Sequence, residues 1–172
     1  MSYDQAFNFV VGSEGNELDL THSDTGNWTG GIVGVGTLAG SKWGVSAASY
    51  PHVNISALTR DDAKAIYKRD YWDRISGDQL PPQLAYVVFD AAVNNGVVRA
   101  AGWLQNAVGA IVDGNIGPAT LAKAHQASQI DSIIAFNAAR TYFMGCLGSW
   151  SINKGWATRL ATIPFNALQI TE

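Results

Sequence analysis

A single cysteine, Cys146, stands among 172 residues, so no internal disulfide can form and folding does not depend on an oxidising compartment. Cys146 has no recognisable activating base near it in sequence and is expected to be a buried small apolar residue. No apolar run approaches the ~20 residues of a membrane-spanning helix, because Gly, Asn or Asp interrupts each one. The opening MSYDQAFNFV has neither the basic start nor the apolar middle of a secretory signal, so synthesis in a reducing cytoplasm is expected. Charge is sparse at 15% of residues and unevenly divided: residues 1–96 hold six Lys/Arg against eleven Asp/Glu, and residues 97–172 hold five against three. The mild positive balance of the second stretch suits weak attraction to an anionic polymer, but it lacks the clustered Lys/Arg of a nucleic-acid-binding face. No repeat or low-complexity tract occurs, and the glycine-rich TGGIVGVGTLAG lacks the Lys-Ser/Thr of a phosphate loop. Metal sites are also not indicated. His22, His52 and His125 are far apart, and DGNIG at 113–117 starts like a calcium loop but has Gly117 at its fifth position and Ala124 at its twelfth. No metal and no cofactor are therefore expected.

What is present is ordinary globular material, 47% apolar and long enough for one respectable core. Tyr3, Ala6, Phe7, Val10 and Val11 repeat at helical spacing and position 14 continues the stripe, so a first helix is expected to run to Glu14 and stop at Gly15. Residues 15–46 hold eight glycines and little helical periodicity, which predicts short strands and tight turns, including a hairpin in TGGIVGVGTLAG. Thr59 with Asp62 approximates a capping box for a helix over about 60–72. Further helices are expected from the Leu84, Val87, Val88, Ala91, Ala92 stripe, from RAAGWLQNAVG, from Pro118 onward, from Ile130, Ile133, Ile134, Asn137, Thr141 and Met144, and from GWATRLATI. The fold class is mainly α with one small β or irregular ribbon after the first helix. Strand-helix alternation, and with it a doubly wound sheet, is absent.

Glu14 is the carboxylate best placed for chemistry. On an apolar helix face, near the negative end of the helix dipole, its neutral form is favoured, and a neutral carboxylic acid can protonate a leaving oxygen. The bland alternative is a solvated helix end. Glu17, Asp19 and Asp24 follow on the glycine-rich stretch, as the second carboxylate of a glycoside hydrolase or as solvated loop acids. Of six tryptophans, Trp28 and Trp43 lie in this stretch and suit sugar stacking, whereas Trp72, Trp103, Trp150 and Trp156 fall in helical patterns and are expected to pack. Asn137 is a candidate for a substrate amide or for a neighbouring backbone group, and Arg140 for the glycan or for Asp90. Asn94 and Asn95 of NNG are candidates for N-acetyl groups or for a helix C-cap.

SEGN, DTGNWTGG, GSKWGVSAASYP, LTRDDAKAIYKRDYW, QLPPQLAYVVFDAAVNNG and VDGNIGPATLAKA, in this order, resemble glycoside hydrolase family 108, the phage and prophage muramidases with a C-terminal peptidoglycan-binding region. The resemblance runs from about residue 5 to residue 165. It implies a lysozyme-like, two-lobed single domain, with a hydrolase region over 1–95 and a peptidoglycan-binding helical region over 96–172 in one compact unit. It makes Glu14 the catalytic acid, followed here by Gly15-Asn16 where the family has two glycines. Asp24 would support positive charge on the sugar or orient water, and Ser41, in place of a threonine, would hold that water. Trp28, Trp43, Asn94, Asn95, Asn137 and Arg140 would bind the glycan. The implied activity is cleavage between N-acetylmuramic acid and N-acetylglucosamine in a cleft walled by the ribbon and the C-terminal helices. The implied role is that of a monomeric, antimicrobial bacteriophage endolysin, made in the host cytoplasm, reaching the wall with a holin and lysing it. Lytic transglycosylation and non-catalytic wall binding are the rival readings.

Overall fold

The computed structural model describes residues 1–12, 15–147 and 154–170. Helices dominate: α1 (Tyr3–Val11), α2 (Arg60–Tyr67), α3 (Pro82–Asn95), α4 (Val97–Ala107), α5 (Pro118–Gln126), α6 (Gln129–Gly145) and α7 (Lys154–Leu168). The one sheet among the described residues pairs β1 (Ser41–Lys42) with β2 (Val45–Ser46), antiparallel. The mainly α class with a small ribbon is thus as expected. The backbone forms two compact units, Phe7–Tyr67 and a second made of Met1–Ala6 with residues 68–172. No described helix is long and apolar enough to cross a membrane.

Several helix limits follow from local chemistry. α1 closes at Val11 on Gly12, whose φ of 68° is the left-handed value glycine adopts without strain, and so stops short of Gly15. α2 starts on the expected box: Thr59 Oγ1 accepts the Asp62 N–H, and Thr59 donates its own N–H and O–H to the Asp62 carboxylate. α-Geometry ends at Tyr67, and the predicted continuation to 72 is a π-helical turn over Lys68–Trp72. The hairpin expected in TGGIVGVGTLAG is irregular, closed by the Trp28–Leu38 bridge and by Thr29 N–H to Thr37 O at 3.0 Å.

In the larger unit α3 is buried on nearly every side, from Leu84 through Ala92. Phe89 meets Tyr3 and Trp72 in a three-ring cluster with centroids 5.4–5.9 Å apart. Trp72 is fully buried, with its indole N–H on Asp78 and the backbone of Gly77 against its ring. Trp103 packs edge-on to Phe136, and Trp156 is half-buried, as expected of packing tryptophans; Trp150 lies outside the described residues. The loop before α5 is built on buried Gln105, whose amide bonds the Asp113 carboxylate and the backbone of Asp113, Gly114 and Asn115.

Two expectations fail on α6. Its buried side is Ser132, Ile133, Phe136, Arg140 and Met144, while Ile130 and Ile134 are 55% and 60% exposed. Cys146 is exposed as well: it follows Met144 by two residues, a rotation of about 200° that carries it off the buried face. The helix is turned by Arg140, which reaches the Asp90 carboxylate of α3 at 2.6 Å with both side chains almost wholly buried. Arg159 of α7 donates to the other oxygen of the same carboxylate. Asp90→Ala strands two guanidinium groups, one of them buried, and is expected to cost about 3–5 kcal/mol in urea unfolding.

Candidate active site

Backbone pairing places the polar residues of the ribbon. Asp19 and Ser41 exchange both N–H···O bonds, at 2.9 and 3.0 Å, and Ser41 faces Ser46 across the β1–β2 pair. Directly opposed residues of antiparallel strands share one face, so Asp19, Ser41 and Ser46 form a row of oxygen-bearing side chains. Gly40, just before Ser41, could be no other residue without conflict: its φ is 84°, and a Cβ there would lie 2.6 Å from the Asp19 carbonyl.

β1 and β2 are joined by Trp43-Gly44, with φ of 54° and 74°, the both-left-handed turn that suits a two-residue hairpin. For tryptophan this conformation costs on the order of 1–2 kcal/mol. The surroundings hold it. The Trp43 N–H donates to the Gly15 carbonyl at 2.6 Å, and the Arg60 guanidinium lies 5.8 Å from the indole centroid and 5.1 Å from that of Phe7. Arg60 is itself fixed by the Asn8 side chain at 2.6 Å.

The carboxylate of Asp19 accepts the Thr21 hydroxyl at 2.6 Å and the Thr21 N–H at 2.8 Å. These bonds hold its pKa below the ordinary aspartate value, and the Asn27 side chain adds to the effect. Asn27 is completely buried. Its amide donates to the Thr21 carbonyl, its own carbonyl accepts the N–H groups of Ala39 and Gly40, and its Oδ1 has no partner among the described residues. Asp24 is exposed and caps the short 3-10 turn Thr25–Asn27, accepting the Gly26 N–H at 2.8 Å. That turn lies beside Ser46: a Cβ on Gly26 would sit 3.7 Å from Ser46 Cβ. Trp28 is half-buried, with its indole N–H on the His22 carbonyl and its ring edge-on to the His22 ring. Glu14 lies outside the described residues.

The other candidates belong to the larger unit. Gly96, with φ 90°, caps α3 and accounts for the NNG pattern. Exposed Asn94 donates back to the Asp90 carbonyl at 2.8 Å. Asn95 accepts Arg140 Nε at 2.8 Å and donates to the Met144 sulfur. Asn94, Arg140, Met144, Trp156, Arg159 and Leu160 line a cavity of about 20 Å³, room for one water. Asn137 donates to the Leu160 carbonyl at 3.1 Å. That oxygen has lost its helical partner because Pro164, four residues on, has no N–H.

Sequence reasoning did not single out the Asp19–Ser41 pair or Asn27. Segments 18–20 and 40–42 are too short for alternation to show, and the one cue was the Asp-x-Thr spacing at 19–21, an Asx-turn signature. Chemically, the ribbon offers an anionic carboxylate beside a hydroxyl on one face, a second exposed carboxylate, and two partly exposed indoles.

The family model described as Glycosyl hydrolase 108 matches residues 7–96, more than half of the chain. Among solved structures, "Structure of Brucella abortus SagA" is similar at 27% identity and a TM-score of 0.77, covering 97% of this chain and 94% of that one. No curated protein matches. The lysozyme-like fold expected from the sequence agrees with this likeness.

Two substitutions test the local chemistry. Asn137→Ala is expected to cost about 1–3 kcal/mol by orphaning the Leu160 carbonyl. In a Pro164→Ala background, where a helical N–H returns to that oxygen, most of this cost disappears, as a double-mutant cycle read by urea unfolding will show. Gly44→Ala combines a left-handed φ with a Cβ 2.3 Å from the Tyr67 hydroxyl, and is expected to lower the thermal midpoint, with partial recovery on adding Tyr67→Phe.

Proposed function

The chain belongs to the glycosyl hydrolase 108 family and is a glycoside hydrolase, and from this premise we propose that it is a muramidase cleaving the β-1,4 bond between N-acetylmuramic acid and N-acetylglucosamine of peptidoglycan. The observation that carries the reading is the family match itself, which takes in Glu14 and the whole ribbon. Glu14 gives its proton to the bridging oxygen as the glycosidic bond breaks. Asp24, exposed on its short turn, stabilises positive charge on the sugar ring, and Ser41 holds the attacking water. Trp28 and Trp43 offer ring faces to the glycan and Asn94 an exposed amide. Asn95, Asn137 and Arg140, whose polar groups are bonded within the protein, contribute by keeping the helical unit in shape.

Residues 96–172 lie almost wholly outside the family match, and they are assigned here to peptidoglycan binding. Their mild positive balance suits an anionic polymer. The biological role that fits is wall lysis by a monomeric phage endolysin, made in the host cytoplasm and reaching the wall through a holin.

Clearing of purified sacculi, followed by turbidity, tests the reading. Glu14→Gln is expected to reduce the rate at least 100-fold while leaving sacculus binding intact. Undiminished clearing by that variant would overturn it. Reducing N-acetylmuramic ends in the digest, seen by mass spectrometry, are expected; 1,6-anhydro ends would instead mark a transglycosylase.

A further inference from the structure

The geometry points to Asp19 as the general base of this reaction, taking the proton from the water that Ser41 holds. This rests on the muramidase reading and adds to it a residue that the family resemblance did not supply.

Three features carry the inference. The first is position. Asp19 and Ser41 are a hydrogen-bonded antiparallel pair, so their side chains project from the same face with Cβ atoms about 5 Å apart, close enough for one water to bridge carboxylate and hydroxyl. Asp24 has no such relation to Ser41. It caps a turn that lies beside Ser46, one strand further along the row, and strands are about 4.8 Å apart.

The second feature is fixation. One oxygen, Oδ1, is held by the Thr21 N–H and hydroxyl, and the Asn27 side chain also favours the charged carboxylate. Thr21 is in turn anchored through its carbonyl by fully buried Asn27. A solvent-exposed carboxylate fixed in this way on the face it shares with Ser41 is held where it can accept a proton from a water at that hydroxyl.

The third is ionisation, which supports the geometry. A base must be anionic when the acid is still protonated, and the Thr21 bonds favour the charged form of Asp19.

The water oxygen forms a bond to the anomeric carbon as the carbon–oxygen glycosidic bond breaks. The water's proton passes to the Asp19 carboxylate, and the departing oxygen takes the proton of Glu14. Attack from the face opposite the leaving group inverts the anomeric centre, so a β-linked strand yields an α end first.

The test uses the full chain and soluble peptidoglycan fragments, comparing parent, Glu14→Gln, Asp19→Asn, Asp19→Ala and Asp24→Asn. Asp19→Asn keeps an oxygen for Thr21, so the fold is expected to survive, checked by its thermal midpoint. kcat is expected to fall 10²–10⁴-fold with KM little changed. Sodium azide is expected to restore turnover to Asp19→Ala, with a glycosyl azide as product, and not to Asp24→Asn. NMR of the first product formed by the parent is expected to show the α anomer. Near-parental kcat in folded Asp19→Asn, alongside an inactive Glu14→Gln, would overturn the role of Asp19 and leave the muramidase reading standing. A β anomer as first product would overturn the base role as well. An active Glu14→Gln would remove the reading itself.

Discussion

The Asp90 carboxylate, nearly out of contact with water, is shared by arginines from two different helices, and the arrangement of the larger unit follows from that sharing. An ionised carboxylate inside a protein persists only where charge and hydrogen bonds replace water. Arg140 supplies both from α6 and Arg159 from α7, while the Asn94 amide covers the adjacent backbone carbonyl. Arg140 has to face α3 to do this, and α6 is rotated accordingly, turning Ile130 and Ile134 outward. A buried ion pair seldom adds much net stability over a well-packed apolar substitute. Its effect here is on register: an α6 turned to bury its isoleucines would leave Asp90 facing hydrocarbon, and that alternative is penalised far more than two exposed isoleucines.

The smaller unit solves a different problem by different means. Its core is modest, built on Phe7, Val45, Ala47, Ile55, Leu58, Ala63 and Tyr67, and its ribbon has strands of only two residues. Side-chain packing cannot position functional oxygens with so little to pack. Main-chain hydrogen bonds do so instead, where glycine lets two backbones approach, as Gly40 does against the Asp19 carbonyl, while Gly44 leaves room in the hairpin turn for the Tyr67 hydroxyl. The left-handed Trp43 fits the same scheme. A strained residue persists when its surroundings over-determine it, and here a main-chain bond to Gly15 and the Arg60 guanidinium both act on it.

How much of this was legible in the sequence depended on what each feature rests upon. Helices fixed by local signals were readable: the Thr59–Asp62 box, Pro118 at the start of α5 and the stripe of α3 all lie within a few residues of what they determine. The pairing of Arg140 with Asp90 was legible too, but not the rotation of α6 that goes with it, because the stripe alone places Ile130 and Ile134 in the core beside Ile133 and only the burial of the Asp90 carboxylate turns them outward. The exposure of Cys146 was hidden for the same reason. The apolar stripe carries α1 on to Gly15, but either glycine can take the left-handed conformation and the helix closes on the first of them, Gly12. At the site, the carboxylates could be named but their neighbours could not. Register between two-residue strands is set by hydrogen bonds that leave no alternation behind, so the pairing of Asp19 with Ser41 had to be seen in three dimensions.

Asn137 shows why a polar residue on a helical stripe is an ambiguous sign of function. A proline inside a helix frees the carbonyl four residues before it, and that oxygen, if kept from water, needs a donor from elsewhere. Pro164 and Asn137 are therefore one feature divided between α7 and α6, and the amide that resembles a ligand for sugar is the donor the proline removed. Gln105 repeats the logic on α4, where a buried amide replaces the regular structure that the 113–115 loop lacks. Asn27 goes one step further. It too serves backbone that has no regular partner, yet its Oδ1 is buried without a bond among the described residues, directly behind the threonine that fixes Asp19. Gln129 ends the same way, donating to the Ala124 and Ala127 carbonyls with its own buried oxygen unbonded among the described residues, so a spare acceptor on a fold-completing amide is not by itself a mark of chemistry.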